Sequence, residues 1–205
     1  MDEQIEFSSR ASLVALGLRM QQLGLWTLIC QHVTITQKVL KHTPLDNLLD
    51  CFSNILAGGS GVDGAIHRAA GPELAWESRR LAPCPTGEAR ITKGYELRAR
   101  HVIHTVGPVW GDGEGGEATL LAACYRNSLR LAAKHGLERV AFPAISTGAY
   151  RYPLAAACRV AAREVADWLD FAELPREVVF CMFSGDSADV MAEALAELER
   201  PDLTG

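Results

Sequence analysis

The sequence predicts a single α/β domain whose sheet is covered by helices on both faces. Three observations carry this. Strand-like and helix-like segments alternate along the chain, the pattern of a sheet with helical crossovers. The strand-like runs His101–Val106, Val140–Phe142 and Val178–Phe183 are apolar through most of their length, as strands buried on both sides are. Segments rich in Gly, Ser and Thr follow two of the strand-like runs and lead straight into helices. At 205 residues, 48% hydrophobic and 22% charged, the chain is long enough for one domain with a sizeable core. A net charge of −5 without a basic cluster excludes a general nucleic-acid-binding surface.

From the amino terminus, residues 1–30 read as a helix, with Ser8 or Ser9 as cap and Leu13, Leu16, Met20 and Leu23 at helical spacing. Gly24 ends it, and Leu25–Thr36 reads as a first strand. Arg19, Gln21 and Gln22 break the apolar stretch Leu13–Cys30 too often for a bilayer span, and Asp2, Glu3 and Glu6 make the start acidic, unlike a signal peptide. A soluble, cytoplasmic protein is expected. Leu45–Phe52 reads as a buried strand running into Gly58-Gly59-Ser60-Gly61, where three glycines in four residues permit a sharp turn or close approach by a ligand. A short helix follows, with Asp63 as its expected cap, Ile66 and Ala70 on one face, and Gly71-Pro72 as its stop.

Glu73–Leu81 continues as a helix, and Pro83, Pro85 and Gly87 mark a loop. Ala89–Thr92 and Tyr95–Leu97 read as a short hairpin. His101–Val106 is a central strand ended by Gly107-Pro108, and Gly111–Gly116 is a flexible acidic loop. A long amphipathic helix runs from Glu117 to about His135, with Leu120, Leu121, Cys124, Leu129 and Leu131 as apolar positions and Gly136 closing it. Val140–Phe142 is the next strand and empties into residues 143–152. Pro153 stands as a first-turn proline for a helix reaching Asp170. Val178–Phe183 is a strand and Ser187–Leu198 the last helix. Neither a repeat nor an interdomain linker interrupts the sequence.

The six cysteines form no C-x-x-C pair, which predicts free thiols in a reducing compartment. Cysteines and histidines never cluster at ligand spacing along the chain, so no metal site and no cofactor are expected. His67 reads as a helix-face packing residue, His101 and His104 as core-lining, and Arg151 as solvent-exposed. Ligands of open α/β sheets bind at loops leaving the carboxyl ends of strands, and two such loops here, Gly58–Asp63 and Ser146–Tyr152, enter helices. A helix amino terminus offers unpaired N–H groups and partial positive charge, which suits phosphate. Neither loop carries the lysine of a P-loop, and the glycine spacing is not that of a Rossmann fingerprint.

Several motifs together carry a resemblance. Gly58-Gly59-Ser60-Gly61-Val62-Asp63-Gly64-Ala65-Ile66-His67-Arg68-Ala69-Ala70-Gly71-Pro72-Glu73-Leu74 resembles the first signature of the macrodomain family. Cys84–Ala89, Tyr95 and His101–Pro108 follow in the family's order, and Phe142–Tyr150 is similar to its second binding loop. The match covers residues 56–200 and points to the MacroD-type branch; residues 1–55 match poorly. The resemblance implies a three-layer α/β/α sandwich with a mixed, mostly parallel central sheet. It implies binding of ADP-ribose or O-acetyl-ADP-ribose, with ADP-ribosylated proteins as partners and a monomer as the state.

It further implies that amides of Gly58, Gly59, Ser60, Gly61 and Val62 and of Ser146, Thr147, Gly148, Ala149 and Tyr150 hold the diphosphate. Asp63 matches the family's acid beside the distal ribose. Tyr152 matches an aromatic packed on that ribose, and Phe183 one that stacks on adenine. Taken alone, both aromatics read as core residues. The sequence also departs from the pattern. Val39 stands where the family has the acid that contacts adenine, and Asp50 and Ser53 stand for two asparagines near the distal ribose. Asp50 can accept a ribose hydroxyl but cannot donate as an asparagine does, and it adds a carboxylate near Asp63, two effects that bear on catalysis. Two functions follow from the resemblance. One is a hydrolase that removes ADP-ribose from acidic side chains or deacetylates O-acetyl-ADP-ribose, with Asp63 and Asp50 as catalytic residues. The other is a non-catalytic ADP-ribose reader.

Overall fold

The computed structural model describes the strand placement of residues 33–37 and 50–53, and residues 61–198. The helix expected over 1–30, Val39 and the loop residues Gly58, Gly59 and Ser60 lie outside the described residues. A six-stranded sheet comprises β1 (Val33–Gln37), β2 (Asp50–Ser53), β3 (Ala89–Lys93), β4 (His101–Thr105), β5 (Arg139–Phe142) and β6 (Glu177–Met182). Its order is β1-β6-β5-β2-β4-β3. All neighbouring pairs are parallel except β3 with β4. The mixed, mostly parallel sheet is therefore as expected.

Among the described residues five helices cover it: α1 (Gly61–Ala70), α2 (Pro72–Arg80), α3 (Glu117–Lys134), α4 (Leu154–Phe171) and α5 (Gly185–Glu197). Successive side chains of a strand point to opposite faces, and β4 shows how this divides the core. Val102 packs with Ile66, Ala70 and Leu74 of α1 and α2, while its neighbour Ile103 joins the larger cluster under α3, α4 and α5. Both are fully buried, so the sheet is the middle of three layers. In the larger cluster Phe142 touches Tyr125 at 4.9 Å and Phe180 at 6.4 Å between ring centroids, tying α3, β5 and β6 together.

Several boundaries differ from expectation, each for a local reason. Asp63 lies inside the first turn of α1 rather than capping it, because Gly61, at φ 69°, already starts the helix. Pro153 is the N-cap of α4 rather than its first-turn residue, since its ψ of 125° is extended. Ser184 caps α5 in a reciprocal box with Ser187, so that helix starts two residues before Ser187. The hairpin partner of β3 is β4, not Tyr95–Leu97. Those residues belong to the connection, which is closed by Gly94 N–H on the Arg100 carbonyl (2.8 Å) and Leu97 N–H on that of Gly94 (3.0 Å). Tyr95, at φ 51°, cannot continue a strand.

Cys84, Cys124, Cys158 and Cys181 take part in no disulfide. Among the described residues no helix is long and apolar enough to cross a membrane.

Phe142 has no exposed surface and joins three elements. Phe142→Ala is expected to cost about 3–5 kcal/mol of unfolding free energy. Urea unfolding checks this: the midpoint falls while the denaturant slope stays unchanged.

Candidate functional site

Parallel strands send their following loops out at one edge of the sheet, and β2 and β5 are neighbours in the register Asp50↔Val140, Cys51↔Ala141. The carboxyl ends of β2 and β5 therefore lie side by side, and the segment 143–152 leaves the sheet there. Gly61 and Val62 open α1 at this edge and are solvent-exposed, while Asp63 is 3% exposed. The first-turn N–H groups of α1 have no partner within the helix, as at any helix start.

The second loop is built around a buried serine. Ser146 is 2% exposed with φ 65°, a conformation that non-glycine residues adopt at a cost. Tyr152 N–H donates to its carbonyl (3.0 Å), and Arg151 N–H donates to Gly148 O (2.9 Å), so residues 146–152 fold back on themselves. Arg151 is exposed, as expected. Among the described residues, no hydrogen-bond acceptor engages the amides of Thr147, Gly148, Ala149 and Tyr150. Gly107, after β4, makes the loop's position possible: a β-carbon there would lie 2.1 Å from Ser146 Oγ and 2.7 Å from the Ile145 side chain.

A second support comes from a residue the sequence reading left as an ordinary helix start. The Glu117 carboxylate accepts from its own amide, from Gly111 N–H (3.1 Å), Gly113 N–H (3.4 Å) and Gly115 N–H, which together hold it below the usual carboxylate range against the opposing effect of burial. The loop expected to be flexible is thus laced to the first turn of α3. It follows Trp110, whose N–H donates to Tyr150 O (2.9 Å) and whose ring meets Tyr152 edge-on at 4.6 Å. The signal in the sequence was an acid directly after a glycine run, at a helix start.

The two aromatics part company. Tyr152 is 3% exposed and belongs to the larger core cluster, with burial raising its phenol pKa. Phe183 lies just past β6 and is 82% exposed, so its reading as a core residue is corrected. It stands at the edge from which the segment 143–152 departs. Asp50 is the first residue of β2, three residues before its carboxyl end, which is about 10 Å of strand. The register pairs Ser53, not Asp50, with His104 at the loop edge.

Asp63 has two histidines near it. His67 Nε2 lies 3.5 Å from Asp63 Oδ1, one turn along α1. His104, 1% exposed on β4, brings its ring to 6.0 Å from that of His67. One potential ligand atom from each of the three residues falls within 4.8 Å of the others. The expectation that histidines do not cluster is corrected: spacing along the chain shows Asp63 and His67 but not a third group arriving from β4. Burial, and then the neighbouring His67, depress His104 from 6.5 to about 3. His104 is core-lining, as expected; His101 is only half-buried.

A sequence model of the family described as Macro domain matches residues 51–161. A macro domain-containing protein of Mesorhizobium japonicum is 51% identical over 156 residues, covering 76% of this chain and 89% of that protein. The O-acetyl-ADP-ribose deacetylase of Escherichia fergusonii is 42% identical over 169 residues, 80% of this chain and 96% of that one. The macrodomain of Trypanosoma brucei, solved in complex with ADP-ribose, superimposes with a TM-score of 0.71 at 38% identity, covering 82% of this chain and 71% of that one.

The depressed His104 pKa sets a pH dependence. Below pH 6.5 the unfolded chain takes up a proton at His104 that the folded chain refuses until about pH 3, so stability falls as the pH drops through that window. The slope from this group approaches about 1.4 kcal/mol per pH unit. Urea midpoints at a series of pH values, in chelator-containing buffer, are expected to show that component in the wild type and to lack it in His104→Gln.

Proposed function

This chain belongs to the macro domain family, and we propose that it binds ADP-ribose and hydrolyses esters of the distal ribose. Its substrates on this reading are ADP-ribosylated acidic side chains or O-acetyl-ADP-ribose. The observation that supports this most is the loop Ser146–Tyr150, whose amides from Thr147 to Tyr150 bond to no described residue beside the start of α1. Main-chain N–H groups without a protein acceptor among the described residues suit a diphosphate, and fixed dipoles need no reorganisation when it arrives. Gly58, Gly59 and Ser60 would add amides from the first loop. Phe183 offers an exposed ring for adenine, while Tyr152, buried against Trp110, would support the distal-ribose side of the loop from beneath.

In the reaction, Asp63 orients a water and accepts its proton as the oxygen adds to the ester carbonyl. The ribose hydroxyl leaves with a proton, assisted by the substrate's own phosphate, and the freed acid is the second product. His67, 3.5 Å from the Asp63 carboxylate, is placed to orient it.

A second reading is favoured by one feature. Asp50 and Ser53 replace two asparagines of the family pattern, and Asp50 starts β2 rather than ending it. A non-catalytic ADP-ribose reader would follow if the asparagines are needed for water placement.

Calorimetry with ADP-ribose is expected to show one site per chain; absence of heat at near-millimolar concentrations rejects both readings. Release of ADP-ribose from a glutamate-modified protein separates them. The hydrolase reading expects Asp63→Ala to lower the rate about 10²–10⁴-fold. Equal, negligible release by wild type and variant leaves the reader.

A further inference from the structure

We propose that Asp63, His67 and His104 form a binding site for a divalent transition-metal ion of the zinc class. The argument starts from two buried imidazoles. His104 Nε2 lies 2.9 Å from Thr92 Oγ1, and that hydroxyl lies 3.4 Å from Val102 O. Thr92 spends its one proton on the carbonyl, so Nε2 carries the ring proton and donates to Oγ1. The lone pair of His104 is thereby fixed on Nδ1, which is buried and has no hydrogen-bond partner. Both ring nitrogens of His67 are likewise buried without a hydrogen-bond partner, and its side chain is 8% exposed. Buried polar atoms are satisfied in the great majority of cases, and three such nitrogens on two adjoining rings require an explanation.

A cation accounts for one nitrogen on each ring. Asp63 and His67 present a carboxylate oxygen and an imidazole nitrogen 3.5 Å apart from one face of α1. Two ligands at the usual 2.0–2.1 Å from a tetrahedral zinc stand about 3.3 Å apart, so this pair already has the separation. His104 closes the set from β4, every ligand atom lying within 4.8 Å of the others, and side-chain rotation takes up the remainder. Two imidazoles and one carboxylate suit zinc, cobalt or iron(II) and disfavour calcium and magnesium, which take oxygen donors. Three protein ligands leave a position for water. Thr92 acts as the outer partner that sets the ring tautomer. Binding does not depend on the function proposed above. Its consequence does: an ion here would take the Asp63 carboxylate away from water activation.

The test uses the full chain, stripped with a chelator and free of nucleotide, titrated with Co²⁺ and then Zn²⁺. The expected result is a visible Co²⁺ absorption saturating at one ion per chain and abolished by Zn²⁺. His67→Ala and His104→Ala should each weaken binding about a hundredfold or more, Thr92→Val about tenfold or more, and His135→Ala not at all. Far-UV circular dichroism verifies the fold of each variant. Should a variant fail to fold, long-range ¹H–¹⁵N spectra of the wild type decide: Zn²⁺ must shift Nδ1 of His104 and a ring nitrogen of His67. Absence of Co²⁺ absorption, or stoichiometric binding that leaves both imidazoles unshifted, overturns the proposal. ADP-ribose calorimetry on the same stripped protein reports separately, so either idea can fail alone.

Discussion

Everything at the site depends on the parallel pairing of β5 between β2 and β6. A parallel neighbour forces a crossover, so each strand must be followed by a segment that leaves at the carboxyl edge and returns through a helix. That single constraint puts the start of α1, the loop after β5 and Phe183 after β6 at one edge, although they are separated by more than a hundred residues of sequence. An antiparallel arrangement of the same segments would have scattered them over both edges. The one antiparallel pair, β3 with β4, lies at the far margin of the sheet and leaves this grouping untouched.

Bringing loops together is not the same as holding them still, and the second loop shows what holding requires. Several of its other polar groups are engaged with their surroundings. Ser146 O takes Tyr152 N–H, Thr147 Oγ1 donates to Ala144 O, and Tyr150 O takes Trp110 N–H. Trp110 is in turn followed by the glycine-rich segment that Glu117 gathers onto the start of α3. A left-handed serine packed where Gly107 lacks a side chain completes the support. The strain at Ser146 is offset by this surrounding network, which is the usual circumstance in which such backbone persists.

How much of this was legible follows from the range of each interaction. α2, α3, β5 and β6 were readable because periodicity, proline and glycine act within a few residues. Boundaries failed where a backbone angle decided them, as at Pro153 and Gly61, because a residue type constrains φ better than ψ. The β3–β4 pairing was missed because seven residues of connection hide the partner, and Tyr95 looks like a strand residue until its left-handed angle is known. The motifs point to two loops and Asp63, yet pattern alone does not tell the buried Tyr152 from the exposed Phe183. His104 was invisible as a site residue for a simple reason: alternation along β4 decides which face it shares with α1, and nothing near it in sequence mentions His67.

The neighbourhood of Asp63 then has an internal logic. A carboxylate almost wholly removed from water needs compensation, and α1 supplies part of it through the partial positive charge of its first turn. His67 adds a nearby ring, and beyond it stands His104, whose protonation burial opposes. The three groups therefore meet in one small buried space. Such crowding suits a site that completes its surroundings with a cation. Burial of the Asp63 carboxylate makes its surroundings matter, so the two rings beside it are as much a part of the candidate site as the loops that frame it.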